Sequence, residues 1–255
     1  MKLNVLEWGD PGAARVVCLH GVTGHGGRFR KLAEERLAER FHVLAVDLRG
    51  HGRSGWEEPW TLETHVEDVL ETVTEAAAWV GHSFGGRLTM EVIARRPDLV
   101  ERAVLLDPAI WVPPAIADQL AAEERVEKIY ADVEEAIAAR SVELVSTPRE
   151  ILEEEMREHL VAGEDGRLRY RYFQPAVAQM YLELAKRPPP FERLCVPTLL
   201  VVGAGSKLVS AAEDELYRQA LGDLFRVAVT PGGHSPLWDA FEETAALVHD
   251  FLAAG

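Results

Sequence analysis

The chain predicts a three-layer α/β fold with a mostly parallel sheet, because short β-rich apolar runs alternate with longer amphipathic ones along most of its length. Most of the strand-like runs end in glycine or a polar residue, and in an open parallel sheet the carboxyl ends of the strands are where ligands sit. A long alanine-, glutamate- and arginine-rich stretch interrupts the alternation once.

The apolar runs place strands at Leu3 to Trp8, Val16 to His20, His42 to Val46, Ala77 to Gly81, Ala103 to Leu106, Thr198 to Gly203 and Phe225 to Val229. Helical periodicity falls at Arg30 to Glu39, Leu62 to Thr74, Gly85 to Arg95, Ala211 to Ala220 and Phe241 to Leu252. The interrupting stretch, Pro108 to Pro190, has helical periodicity and no convincing buried strand, so residues 108–190 read as a helical insertion. Pro113-Pro114 opens it and Pro188-Pro189-Pro190 closes it, since prolines stop helices from running through. Residues 1–107 and 191–255 then form the catalytic body.

The 255 residues with 47% hydrophobic content suffice for one large core. A formal charge of -15 repels phosphate backbones and anionic surfaces, so nucleic acid and membranes are not expected as partners, and neutral or weakly polar small molecules are. The run Glu153-Glu154-Glu155 reads as a solvated helix face. Cys18 and Cys195 each flank an apolar run and read as small core residues, compatible with a reducing cytosol. The start of the chain meets charge before any signal-length apolar stretch develops. No segment approaches the roughly 18 apolar residues of a membrane span, and a cytoplasmic location is expected. Composition leaves the oligomeric state open.

The most informative segment is Gly81-His82-Ser83-Phe84-Gly85, a G-x-S-x-G between a strand-like run and a helix pattern. A serine at so tight a strand-to-helix turn adopts a strained backbone, and glycines on either side let strand and helix approach. The hydroxyl is thereby presented at the positive end of a helix. Serine is a poor nucleophile at neutral pH and needs a base. His234, in the loop Thr230 to Pro236 that follows a strand, is the candidate among nine histidines. His20, His25, His51 and His82 also lie near strand ends, whereas His65, His159 and His249 read as helix-surface residues. No pair has a metal-ligand spacing such as H-E-x-x-H, and neither a metal nor a cofactor is expected.

Four segments, His20-Gly21-Val22-Thr23-Gly24, Asp47 to Ser54, the turn at Ser83 and Gly233-His234, occur in the order seen in α/β-hydrolases, and over essentially its whole length the chain resembles that family. The resemblance implies a sheet of about eight strands, a lid after the sixth, and a triad in the order nucleophile, acid, histidine. It also implies that the backbone N–H groups of Val22 and Phe84 form the oxyanion hole, where loss of one donor typically costs about 100- to 1000-fold in rate. Arg49, His51 and Arg53 read as hydrogen-bonding residues of the family's structural turn.

The chain departs from the family at the acid. The usual position, after the strand ending at Gly203, holds Ser206, and a serine cannot hold an imidazolium by charge. Some members carry the acid at the end of the preceding strand, where this chain has Asp107, which makes Asp107 the expected acid. The alternative is that Asp107 is an ordinary strand-end residue in an enzyme with a weakened dyad. On this reading Ser206→Asp should change little if Asp107 works and raise activity if the usual site is merely vacated. Serine at the elbow argues against dehalogenase or epoxide hydrolase chemistry, which needs aspartate there. A carboxylesterase acting on small-molecule esters is the leading reading. A lactonase, a carbon–carbon bond hydrolase and a non-catalytic binding protein on the same fold stay open. Trp56, Trp60, Trp111 and Trp238 are candidates for an apolar pocket, Trp111 and Trp238 foremost.

Overall fold

The computed structural model describes residues 1–254, apart from the side chains of residues 211, 212 and 214. Seven strands form the main sheet: β1 (Val5–Trp8), β2 (Ala14–Leu19), β3 (Phe41–Val46), β4 (Ala77–His82), β5 (Val100–Leu106) and, later in the chain, Thr198–Gly203 and Phe225–Thr230. All seven coincide with the seven runs picked out by hydrophobicity; the eighth strand implied by the family resemblance has no counterpart among the described residues. Residues 108–190, expected as the lid, accordingly follow the fifth strand of the sheet and not the sixth.

Between β5 and the sixth sheet strand lie α4 (Pro114–Glu124), α5 (Val133–Glu143), α6 (Arg149–His159) and α7 (Gln174–Glu183), after α1 (Arg30–Leu32), α2 (Leu62–Thr72) and α3 (Phe84–Arg95) in the preceding part. The same stretch also contains β6 (Ile129–Tyr130), β7 (Leu160–Ala162) and β8 (Leu168–Tyr170), a small antiparallel sheet in the order β6-β8-β7. Residues 108–190 are therefore not purely helical, contrary to the expectation for that stretch. Strands of two or three residues are too short to leave a period-two pattern in the sequence. The chain closes with β9 (Thr198–Gly203), α8 (Ala211–Leu221), β10 (Phe225–Thr230), α9 (Pro236–Asp239) and α10 (Phe241–Ala253).

The main sheet runs β1-β3-β2-β4-β5-β9-β10, with β1 antiparallel and the other pairings parallel. Alternation along each strand assigns side chains to two faces. Val17, Leu19, Trp79, Leu105 and Leu200 join the core that packs against α2 and α3. Val16, Cys18, Val80, Leu106 and Val201 join the opposite core with Phe29, Leu32 and Phe251. Burial on both faces explains why these strands read as continuous apolar runs and not as alternating ones.

Three expectations fail on burial. Cys18 is buried but Cys195 is exposed, because it sits in the connection ahead of Val196-Pro197 and not in β9. His65 and His159 are buried, and of the three helix histidines only His249 faces outward. His65 shares the inner face of α2 with Leu62, Val66 and Val69 and meets the Phe84 ring edge-on at 5.5 Å. The glutamate run of α6 is not one solvated face either. Consecutive helical residues point about 100° apart, so Glu154 is exposed while Glu155 turns inward at 5% exposure.

Candidate active site

β4 ends at His82 and α3 begins at Phe84, so the whole reversal falls on Ser83, which has φ 54° and ψ -116°. A non-glycine residue with positive φ stores strain and persists only where its surroundings fix it. Here Ser83 N–H donates to Leu106 C=O at 3.1 Å, and Ala109 N–H donates to Ser83 C=O at 3.0 Å. The flanking glycines are required by space: a Cβ on Gly85 would overlap the Leu19 carbonyl, and one on Gly81 the Gly85 carbonyl.

The turn after β2 abuts the elbow, for a Cβ on Gly21 would lie 3.0 Å from that of Ser83. Its shape is held by buried imidazoles. Leu48 N–H donates to His20 Nε2 at 3.0 Å, which places the ring proton on Nδ1, and that nitrogen donates to Gly21 C=O at 2.8 Å. His51 Nε2 lies 2.7 Å from the Val22 carbonyl, and Arg49 grips Asp68 with two contacts of 2.6 and 2.8 Å. Arg53 enters the same turn by its backbone N–H, which donates to Asp47 Oδ2. The Val22 N–H meets no acceptor among the described residues, and the Phe84 N–H opens α3, where no preceding helical carbonyl exists.

Asp107 follows β5 with φ 41°, a conformation that Asp tolerates better than most residues. Its N–H donates to Val201 C=O at 2.8 Å, and its side chain is fully buried. Carboxylate Oδ2 accepts from His234 Nδ1 at 2.6 Å and from Ser206 Oγ–H at 2.6 Å. His234 is 37% exposed, and with Nδ1 facing Asp107 its Nε2 is left for other partners. The loop carrying it is pinned by His82, whose Nε2 donates to the His234 carbonyl at 2.8 Å while the two rings meet at 4.9 Å, tilted by 35°. Burial lowers the His82 pKa to about 3, so that ring is neutral.

Ser83, His234, Val22 and Ser206 line one cleft of about 900 Å³. Residues 108–190 contribute Leu120, Lys128, Arg140 and Val145 to its wall, beside Lys207 and Leu208 from the loop after β9. Among the described residues no hydrogen bond joins Ser83 to His234; catalytic contacts of this kind tighten as substrate seats.

Of the tryptophan candidates, none lines this cleft. Trp111 is 42% exposed and donates its indole N–H to Ala185 C=O at 3.1 Å, outside the cleft. Trp238 lies under the Arg28 guanidinium at 4.6 Å and borders a separate void of about 20 Å³ beside His20 and His82. Trp56 and Trp60 pack on Phe173 at 5.9 and 5.3 Å. Residue type marked these side chains as pocket-formers, but their direction depends on tertiary neighbours that no local pattern reveals.

A second polar cluster, which no sequence spacing marks, has its histidines and glutamate outside the cleft. Glu155 of α6 accepts from Arg28 Nε at 2.9 Å, and its oxygens lie 3.0 Å from His25 Nε2 and 3.1 Å from His159 Nδ1. His25, Glu155 and His159 have the clustering of metal ligands, with all three donor atoms within 4.8 Å. The guanidinium already neutralises the carboxylate, however, so the group works as a clamp joining α6 to the loop before α1. Burial alone would raise the Glu155 pKa, but the neighbouring Arg28 and His25 hold it well below the usual carboxylate range.

A strained serine after a parallel strand, a buried aspartate and a partly exposed histidine at the carboxyl edge define a hydrolase-type site on a doubly covered sheet. A sequence model described as the alpha/beta hydrolase family matches residues 16–247, and the chain belongs to that family. It is 37% identical over 193 residues to Lipase LipV of Mycobacterium tuberculosis, covering 73% of this chain and 72% of the relative. It is 31% identical over 242 residues to 2-(acetamidomethylene)succinate hydrolase of Mesorhizobium japonicum, covering 91% and 84%. A crystal structure of E-2-(acetamidomethylene)succinate hydrolase superposes with a TM-score of 0.89 at 27% identity, covering 98% of this chain and 95% of that one. No helix among the described residues is long and apolar enough to cross a membrane.

Proposed function

We propose that the protein is a carboxylic ester hydrolase working through an acyl-enzyme on Ser83. The observation that carries this is the 2.6 Å contact between Asp107 Oδ2 and His234 Nδ1 at the edge of the cleft that Ser83 lines. Asp107 holds the imidazole with its proton on Nδ1, leaving Nε2 as the base. As Ser83 Oγ attacks the ester carbonyl, its proton passes to His234 Nε2. The buried carboxylate stabilises the imidazolium without taking the proton itself.

The carbonyl oxygen becomes an oxyanion that the Val22 and Phe84 N–H groups receive, aided by the positive end of α3. Collapse of the tetrahedral intermediate expels the alcohol, which takes the proton from His234. Water, deprotonated by the same nitrogen, then attacks the acyl-serine, and Ser83 leaves with the proton as the acid is released. Residues 108–190 act as the cap over this chemistry, since their side chains wall the cleft. A volume of about 900 Å³ admits an acyl chain of moderate length, and the lipase among the relatives supports an ester over other acyl substrates.

The test is labelling with a fluorophosphonate probe followed by turnover of p-nitrophenyl esters of increasing chain length and a set of lactones. Labelling of the wild type and none of Ser83→Ala, with ester turnover exceeding lactone turnover, is the expected result. An unlabelled wild type would mean a binding protein that keeps the fold. Lactone turnover above ester turnover would move the activity to a lactonase with the same residues.

A further inference from the structure

Ser206 stands where the family usually has its acid, yet its hydroxyl is not idle. We infer that Ser206 is a positioning residue for the triad, fixing which oxygen of Asp107 faces His234. The inference rests on the serine hydrolase reading above.

The two short contacts converge on a single atom. Ser206 Oγ–H and His234 Nδ1–H both reach Asp107 Oδ2 at 2.6 Å, while Asp107 Oδ1 is buried and has no partner among the described residues. A carboxylate gripped on one oxygen only is free to rotate and offer the other, unless something besides the imidazole holds it. Ser206 supplies that hold. Its own hydroxyl is oriented by the backbone, because Leu208 N–H donates to Oγ at 3.3 Å. With that lone pair used, the hydroxyl proton is directed to the carboxylate. Ser206 N–H in turn donates to Gly203 C=O at 2.9 Å, tying the residue to the end of β9. Hydrogen bonds from neutral donors to an ionised carboxylate are among the stronger ones.

The same geometry changes the expectation for Ser206→Asp. The new carboxylate would come against the Asp107 oxygen that Ser206 now touches, and two like charges so close cannot both stay ionised. The variant should therefore lose activity, although the substitution recreates the family's usual residue. The other charged or titratable groups around the pair are the neutral His82 ring from β4, Lys207 in the cleft wall, Asp239 accepting from Gly233 N–H, and Arg28, which is paired with Glu155.

The experiment compares Ser206→Ala, Ser206→Thr and Ser206→Asp with the wild type by kcat, KM, the pH profile of kcat/KM, melting temperature and fluorophosphonate labelling. Ser206→Ala is expected to lose about 10-fold in kcat with KM within about twofold, the scale of one charge-assisted hydrogen bond. Its acid limb should move to higher pH, because a carboxylate with one donor fewer holds the protonated imidazole more tightly. Ser206→Thr, which keeps the hydroxyl, should restore both, and Ser206→Asp should fall below the wild type. A Ser206→Ala enzyme that folds, labels and shows the wild-type kcat and acid limb would overturn the inference while leaving the hydrolase reading intact. A wild type that neither labels nor turns over ester would overturn both.

Discussion

Among the described residues two buried carboxylates touch imidazoles, Asp107 and Glu155, and they are put to different ends. Asp107 meets one ring, His234, and the far side of that ring opens to the cleft at 37% exposure. Glu155 meets two rings, His25 and His159, and adds Arg28, with every member of the group at or below about 10% exposure. Among the described residues no Lys or Arg pairs with Asp107, so its negative charge is available to stabilise an imidazolium as one forms. In the second the guanidinium has already cancelled the charge, and both rings are buried outside the cleft that Ser83 lines. A carboxylate–imidazole contact thus becomes a base only where the second ring nitrogen is reachable and no cation has taken the carboxylate. Otherwise it is a fastener, here between α6 and the body of the fold.

Breaking each group in turn sharpens the contrast. His234→Ala is expected to lower kcat by on the order of 10⁶, the scale seen when a triad histidine is removed, with little change in melting temperature. Glu155→Gln should do the reverse. It leaves Arg28 buried without its counter-charge, a loss of about 3–5 kcal/mol, which in a chain of this size lowers the melting temperature by roughly 10 °C. Its kcat at 15 °C should stay within about threefold of wild type, and thermal denaturation with parallel ester assays checks both halves.

The buried histidines also predict a pH response. Burial lowers the pKa of His65, His82 and His159 to about 3, below the ordinary 6.5. Between those values the unfolded chain binds more protons than the folded one, so their contribution is complete above pH 6.5 and is lost as the pH falls. Melting temperature should fall by on the order of 10 °C from pH 7 to pH 5. A flat profile over that interval would show that these rings are not buried neutral. The smallest effect is reserved for Trp111→Phe, since that indole lies outside the cleft. Its KM for p-nitrophenyl butyrate should match the wild type, and a KM raised tenfold would return Trp111 to the pocket.

The contrast also marks what the residues alone disclose. Strands buried on both faces announce themselves as apolar runs, and the elbow does so as a glycine-framed serine, because both depend on local sequence. Asp107 was reachable as a residue after a strand, and the chain order narrowed the search for the histidine. Glu155 and His159 look like surface residues from sequence because a charged residue on a helix is solvated unless a partner arrives from elsewhere, and Arg28 arrives from more than a hundred positions away. Ser206 looked like a loss for a related reason: only the folded loop brings its hydroxyl onto the aspartate. The small strands β6 to β8 were too short to register, and Trp111 had the right chemistry in the wrong direction.

The central claim is that Asp107 orients His234, and Asp107→Asn tests it most directly. The account predicts a fall in kcat for a p-nitrophenyl ester of about 10⁴, with Ser83 still present and the melting temperature within a few degrees of wild type. A folded Asp107→Asn enzyme with kcat within about tenfold of the wild type would contradict it.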